Sequence, residues 1–267
     1  MSFGPSESPT QQVTVKFTWA ESVVDEQGNR KIREVEQPDD NMDTTPAFSI
    51  QSGKNTNLIR LDRLFTRSYR EQFAIQMEKP CIFLPANGLS IEDIGKYWDT
   101  ITLGPLENDV MGTMKIIEPE VERINLIGNQ KTTRYRERIP IVKVSSFDAP
   151  MPLRSLGEGM NRMFGISLAM VNAKGGMLLV DEIESGLHYS ILPEMWRFIF
   201  QAARRLNVQI FATTHSWDCI AGFQQAAQES EQDGMLIRLM NKKGKIIPTF
   251  FDEKDLLIAT REQIEVR

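Results

Sequence analysis

The stretch "GGMLLVDEIESGLH", residues 175–188, decides how the rest of the chain is read. Two glycines, four apolar residues and a run of acids predict a short buried strand ending in Asp181 and Glu182. In a parallel sheet the last side chains of a strand reach the C-terminal edge, where such sheets bind their ligands. Adjacent carboxylates there suit nucleotide hydrolysis. One can hold the Mg²⁺ that bridges phosphates, and the next can polarise the attacking water. Solvated loops after buried strands also carry acids, so the pair alone decides nothing.

The flanking segments add to it. Downstream, "SILPEMWRFIFQAARRLN" places Leu192, Met195, Ile199, Ala203 and Leu206 at helical spacing, with Arg204 and Arg205 in the last turns. "VQIFATTH" then predicts a second strand closing on His215, 34 residues after Asp181. If the two strands are neighbours, this imidazole reaches the region of a γ-phosphate, and the small hydroxylated "ATT" permits close approach. Upstream, "RSLGEG" (154–159) opens a helix, "GEGMNRMFGISLAMVNA", that is apolar on nearly every side and so predicted to be buried. Its glycines and Ser155 leave backbone N–H groups open at a helix N-terminus, a phosphate site. Strand-end acids, pre-helix glycines and a lone histidine each have bland explanations; their order carries the weight. Helix, strand, helix and strand at these intervals predict an α/β fold with a mostly parallel sheet flanked by helices.

Further out the pattern changes. Residues 1–12 read as a flexible lead-in. Residues 13–149 read as antiparallel strands and a mixed helical insert, and 150–267 as the core. "VTVKFTWA" alternates as a strand, "IREVE" returns as its partner, and residues 56–78 read as holding a helix. "CIFLPA" is a short strand, and Ser90 caps a helix in "SIEDIGKYWDTI". "EVERINLIG" and "RIPIVKVSSF" read as strands, "MLIRLMNKKGKIIPTFF" as two strands about a Lys-Gly turn, and "DEKDLLIATREQIEVR" as a terminal helix. The chain has 267 residues, 41% apolar and 25% charged, with a net charge of −5. That balance argues against a chain-wide nucleic-acid footprint. Cys81 and Cys219 are far apart, without metal or redox spacing. No apolar run spans a membrane and no leader pattern opens the chain, so the expected location is the cytoplasm, with no membrane partner.

Taken together, residues 150–220 resemble the ABC-type ATPase core. The likeness is to bacterial AAA-family ATP-binding proteins found near defence systems and related to overcoming-lysogenization-defect and chromosome-structure ATPases. "SLGEG" is similar to the ABC signature, with Ser155, Gly157, Glu158 and Gly159 at the phosphate-contacting end. "MLLVDE" resembles the Walker B strand, which implies Asp181 as the Mg²⁺ residue and Glu182 as the catalytic base. "SGLH" resembles the D-loop, with His188 where Asp is usual, and His215 resembles the switch histidine. His188 has a simpler reading as a packing or hydrogen-bonding residue, and Trp217 as a packing residue. The likeness covers roughly 115 residues and is faint over the first 110.

The family's P-loop, GxxxxGK followed by Ser or Thr, does not occur. "SGKN" (52–55) carries Asn55 after Lys54 and no glycine five positions before Gly53; "GLSIEDIGKY" has Tyr97 after Lys96. The resemblance therefore implies an incomplete ATPase module lacking the first strand, P-loop and first helix. Binding of ATP and Mg²⁺ would depend on a P-loop from a missing N-terminal fragment or a homologous ATPase subunit, with a nuclease or DNA as further partners. A non-catalytic regulatory subunit derived from such an ATPase is the alternative, although it would not need both acids. A nuclease is disfavoured, because the nuclease-bearing relatives keep that centre in an extra C-terminal domain and this chain ends at Arg267. "RLDRLFTRSYR" carries Arg60, Arg63, Arg67 and Arg70, read as a solvated helix face rather than a DNA contact.

Overall fold

Alternating apolar and polar residues make the described part of the first 60 residues a set of antiparallel strands. The computed structural model describes residues 2–3, 13–24, 30–38, 43–52, 55–63, 79–128, 138–229, 234–252 and 255–258. They fall into two compact units, Met1–Met77 and Glu78–Arg267. In the first unit, β1 (Ser2–Phe3), β2 (Val13–Val24), β3 (Arg30–Val35), β4 (Thr44–Ser52) and β5 (Asn55–Arg60) form one sheet. β2 pairs with β1, β3 and β4, and β4 with β5, all antiparallel. Thr18, Ala20, Ala47, Ser49 and Arg60 are buried. Phe17 packs edge-on to Trp19 and Phe48, at 6.1 and 6.2 Å between ring centres. The partner strand expected at "IREVE" is therefore present. Part of the segment expected to be helical is strand instead, because Thr56 to Arg60 continue the ladder with β4. One 3₁₀ turn, Leu61–Arg63, follows. The rest of that segment, with Arg67 and Arg70, lies outside the described residues, as do Gly53, Lys54 and most of the lead-in.

The second unit holds β6 (Cys81–Leu84), α1 (Ile91–Ile101), α2 (Pro105–Met114), β7 (Val121–Gly128), β8 (Arg138–Val144) and β9 (Met151–Pro152). These lead to α3 (Glu158–Asn172), β10 (Met177–Val180), α4 (Leu192–Leu206), β11 (Gln209–Ala212) and α5 (Trp217–Gln228). The hairpin of β12 (Leu236–Lys242) and β13 (Lys245–Phe251) follows. Ser90 caps α1 as expected, its side chain accepting the Asp93 N–H at 3.0 Å. Residues 255–258 are helical; the remainder of the expected terminal helix, 259–267, lies outside the described residues.

The expectation of a mostly parallel sheet is overturned. Of the four sheets among the described residues only one is parallel, with strand order β11-β10-β6. The other three, including β7-β8-β9 and β12-β13, are antiparallel. The helix-then-strand alternation that implies crossovers runs only from α3 to β11. In the second unit's antiparallel sheets, by contrast, the paired strands β7 and β8, β8 and β9, and β12 and β13 follow one another with no regular α-helix among the described residues between them, and such neighbours close antiparallel. At Lys243 and Gly244 both turn residues have positive φ, 54° and 79°, which matches the twist of a tight hairpin.

The core forms around α3. Eleven of its fifteen residues are buried, among them Phe164, tilted 5.8 Å from Trp98 of α1. Gly165 sits close to Leu84, so a β-carbon there would lie 3.6 Å from its Cδ1. α4 buries Leu192, Met195, Trp196, Ile199, Ala202 and Leu206, one stripe of an amphipathic helix. The paired glycines before β10 have a local cause. A β-carbon on Gly176 would stand 1.9 Å from the Pro80 carbonyl oxygen, so nothing larger fits beside β6. Residues Leu84, Leu178 and Val180 point into the core. On the opposite face Phe83, Leu179 and Phe211 stand side by side in register across the three strands, and Phe83 and Phe211 are 57% and 50% exposed.

Candidate functional site

The chain leaves β10 through a turn whose shape is set by two side chains from elsewhere. Thr213, just beyond β11, donates its hydroxyl to Asp181 Oδ1 at 2.7 Å and accepts the Glu182 N–H at 2.9 Å. Backbone bonds continue the register: Asp181 N–H to Leu84 O, Thr213 N–H to Val180 O and Ile183 N–H to Thr213 O, all within 3.0 Å. Asp181 and Glu182 thus stand at the C-terminal edge of the parallel sheet, between two neighbouring strands. Glu182 has φ 45°, a left-handed conformation that costs a non-glycine residue on the order of 1 kcal/mol. It persists because Thr213 holds its N–H and a buried arginine holds its carbonyl.

That arginine is Arg162, on α3 and only 5% exposed. Its Nη1 donates to the carbonyls of Pro85 (2.7 Å) and Ala86 (3.3 Å), its Nη2 to those of Asp181 (2.6 Å) and Glu182 (2.8 Å), and its Nε to that of Ile183 (3.4 Å). The guanidinium therefore gathers the carbonyls left over where β6 and β10 end. Burial lowers its pKa from the ordinary arginine value, while the charges of Glu184, Asp181 and Glu182 oppose that shift. It stays protonated. Sequence reasoning missed this residue. The available signal was a lone cation inside "MNRMFGISLAMV", a segment otherwise read as wholly apolar.

The His215 loop lies alongside. Its backbone N–H donates to Glu184 Oε1 at 3.1 Å, and its side chain is exposed. The Ser216 hydroxyl caps α5 by accepting the Cys219 N–H at 3.3 Å. Trp217, expected as a packing residue, lies against the small cluster of Ile220 and Leu256. His188 also has a local role. Its Nδ1 lies 2.9 Å from Ser190 Oγ, and its ring tilts on Tyr189 at 4.3 Å.

Ser155 lies in a 3₁₀ turn, Leu153–Leu156, and Gly157 with φ 100° opens α3 without a side-chain cap. Ser155, Gly157 and Glu158 are exposed and Gly159 half-buried. This end of α3 packs on the turn after β10. A β-carbon on Gly186 would meet Glu158 Cβ at 3.2 Å, and one on Gly159 would meet Gly186 O at 3.2 Å. The structure thus joins Asp181, Glu182 and the His215 loop by hydrogen bonds. It joins the Ser155–Gly159 segment to them only through the packing at Gly186.

Among the described residues no group of three or more His, Cys, Asp or Glu is arranged to hold a metal ion. Asp181 still has one carboxylate oxygen beyond its bond to Thr213. That suits Mg²⁺, which takes one or two protein oxygens and completes its octahedron with water and phosphates. Phosphate charge is another matter: the cation at this edge, Arg162, has its donors turned to carbonyls.

Carboxylates at the C-terminal edge of a parallel sheet within a mixed α/β domain fit an ATPase-like class of protein. Within that class the chain belongs to the family described as "AAA domain, putative AbiEii toxin, Type IV TA system", which it matches over residues 28–218. It is 28% identical over 111 residues to the "Uncharacterized protein MJECL11" of Methanocaldococcus jannaschii, covering 42% of this chain and 96% of that one. To an "ATP/GTP phosphatase" of Helicobacter pylori it is 30% identical over 94 residues, 34% of this chain and a quarter of that protein's length. Among solved structures it is similar to an SMC head bound to the C-terminal winged-helix domain of ScpA (12% identity, TM-score 0.48, 82% of this chain and 71% of that one). It is also similar to the SMC head domain of Thermotoga maritima (12% identity, TM-score 0.38, 93% and 71%). None of the described helices is long and apolar enough to cross a membrane.

Proposed function

We propose that the chain is an ATP-hydrolysing module of the ABC/AAA type that works with a P-loop carried by a missing segment or a partner subunit. The observation that carries this reading is the Thr213 hydroxyl, which ties the Asp181 carboxylate and the Glu182 backbone to the neighbouring strand, so that both acids stand at one edge. Such fixed acids fit transition-state electrostatics, which need groups already in place when charge develops. Asp181 would hold Mg²⁺, which supplies charge neutralisation to the phosphates. Glu182 would take up the proton of the attacking water, and the exposed His215 imidazole would donate to a phosphoryl oxygen. Ser155, Gly157, Glu158 and Gly159 would meet a nucleotide from the uncapped end of α3, in a composite site with a second subunit.

The proposed partner is a homologous ATPase subunit or a fragment bearing strand, P-loop and helix. A nuclease or DNA would be what hydrolysis is coupled to. The row of Phe83, Leu179 and Phe211 supports a partner, since apolar residues in register across a sheet normally have a cover. That row equally suits a non-catalytic subunit that docks on a complete ATPase. ATP turnover separates the two. Mixed with a P-loop-bearing homologue, the chain is expected to raise turnover, and Glu182→Gln to lower the increment at least about 100-fold. A Glu182→Gln chain that stimulates as well as the unsubstituted one would remove Glu182 as the base and favour the docking subunit.

A further inference from the structure

Glu184 is the acid of this turn that the hydrolytic reading leaves without a role. Its Oε1 accepts the His215 N–H at 3.1 Å. Its Oε2 is buried, with no hydrogen-bond partner among the described residues. Burying a carboxylate oxygen without a donor is costly unless charge compensates. Compensation comes from the positive charge of the Arg162 guanidinium, which attracts the carboxylates of Glu184, Asp181 and Glu182. Behind lies the Cys219 thiol, whose pKa is pushed up to about 11, chiefly by burial and further by the Glu184 charge. Glu184 is thus held between α3, α5 and the His215 loop, and the group it grips is the backbone of the histidine.

The two loops at this edge are cross-linked twice. Thr213 reaches from the β11 side to Asp181 and Glu182. Glu184 reaches back in the other direction, two residues further along each loop. The first link holds the Asp181 carboxylate and the Glu182 backbone. Without the second, His215 would hang from a loop whose own bonds, Ser216 N–H to Thr214 Oγ1 and Cys219 N–H to Ser216 Oγ, are all local.

We propose that Glu184 is a positioning residue that clamps the His215 backbone to the acid-bearing turn, so that the imidazole and the carboxylates of Asp181 and Glu182 keep one mutual geometry. The clamp leaves the imidazole itself unoccupied and exposed. Its consequence for phosphoryl transfer rests on the hydrolytic reading above; the clamp itself does not.

The test uses the intact chain, in which His188 and His215 are the two histidines and His188 serves as an internal control. In the unsubstituted chain the His215 amide is expected to exchange at least tenfold more slowly than an unstructured one; an unprotected amide overturns the proposal without any variant. Glu184→Met removes the acceptor while keeping a side chain of similar length. It is expected to accelerate His215 amide exchange at least tenfold and move the His215 ring signals in NMR spectra, leaving those of His188 in place. Glu184→Gln keeps an oxygen that can accept and is expected to restore both. If Glu184→Met leaves exchange within twofold, or a folded Glu184→Gln behaves like it, Glu184 does not clamp the histidine. In an assembled complex that hydrolyses ATP, Glu184→Met should lower kcat with little change in KM. If no such complex forms, the hydrolytic reading fails while the amide result stands on its own.

Discussion

Two turns in the second unit are built on opposite principles. The turn after β10 is held by side chains from α3 and from the loop after β11, and one of its residues, Glu182, is kept in a left-handed conformation. The turn between β12 and β13 is held by its own backbone and by Asn241, which accepts the Gly244 N–H at 3.0 Å. Around it, Ile237, Leu239, Ile246 and Phe250 are exposed on one face. The first turn contains three acids in four residues and the second one lysine and one glycine. A turn that needs only to reverse the chain is satisfied by positive-φ residues. A turn that must present carboxylates in a fixed arrangement takes on buried polar contacts, each a point where one substitution can undo it.

The sharpest way to break that contrast is Arg162. Replacement by Met keeps much of the side-chain volume but leaves carbonyls of Pro85, Asp181 and Glu182 without a donor in a buried place. Removing one member of a buried charged network costs about 3–5 kcal/mol, and unsatisfied buried acceptors cost about 1–3 kcal/mol each. Arg162→Met is therefore expected to lower stability by at least about 3 kcal/mol in denaturant unfolding monitored by tryptophan fluorescence. Arg162→Lys should recover only part, because an ammonium cannot span carbonyls from two strands as a planar fork does. A loss below about 1 kcal/mol would mean that the edge keeps its shape without the arginine.

Thr213 is the next step down. Thr213→Val has nearly the same shape, yet it removes the donor to Asp181 Oδ1 and the acceptor of the Glu182 N–H. Asp181 and Glu182 are half-buried or exposed, so water replaces part of what is lost, and a cost of about 1–2 kcal/mol is expected. The more telling readout is local: the amide of Glu182 should lose protection while those of β10 keep theirs. Loss of protection along all of β10 would show that Thr213 supports the strand rather than the turn.

These two residues also mark how far the sequence could be read. The strand at 177–180, its helix before and after, the next strand, which stops at Ala212 rather than running to His215, and the acids at the edge follow from period and order, because burial imposes both. The sheet as a whole did not follow. "CIFL" gives no sign in its own residues that it joins β10 in parallel across the 92 intervening positions, and the antiparallel hairpins outnumber the crossovers that imply a parallel sheet. Arg162 was hidden by its surroundings, since hydrophobic periodicity marks a helix as buried without saying that its cation is needed inside. Thr213 was noticed as small and hydroxylated, but a bond to Asp181 is a matter of register between strands, which no single segment encodes. Glu184 differs from its acidic neighbours in reaching the His215 N–H, and that depends on how two loops lie side by side, which neither loop's residues encode.

The smallest effect is expected at the hairpin. Leu239 is 67% exposed and lies opposite Pro248 on the solvent face of β12 and β13. Leu239→Thr keeps a residue suited to a strand and removes an apolar side chain that contributes little burial. Stability is expected to change by no more than about 0.5 kcal/mol, whereas the Arg162 substitution in the same unit should cost several times that. An isolated two-stranded hairpin is marginal in water, and this one gains its anchorage on the other face, where Leu236 and Phe251 pack with Ile220 and Leu256. If Leu239→Thr costs more than about 1.5 kcal/mol, the outer face carries weight in the chain by itself. The hairpin would then be a braced element like the turn after β10.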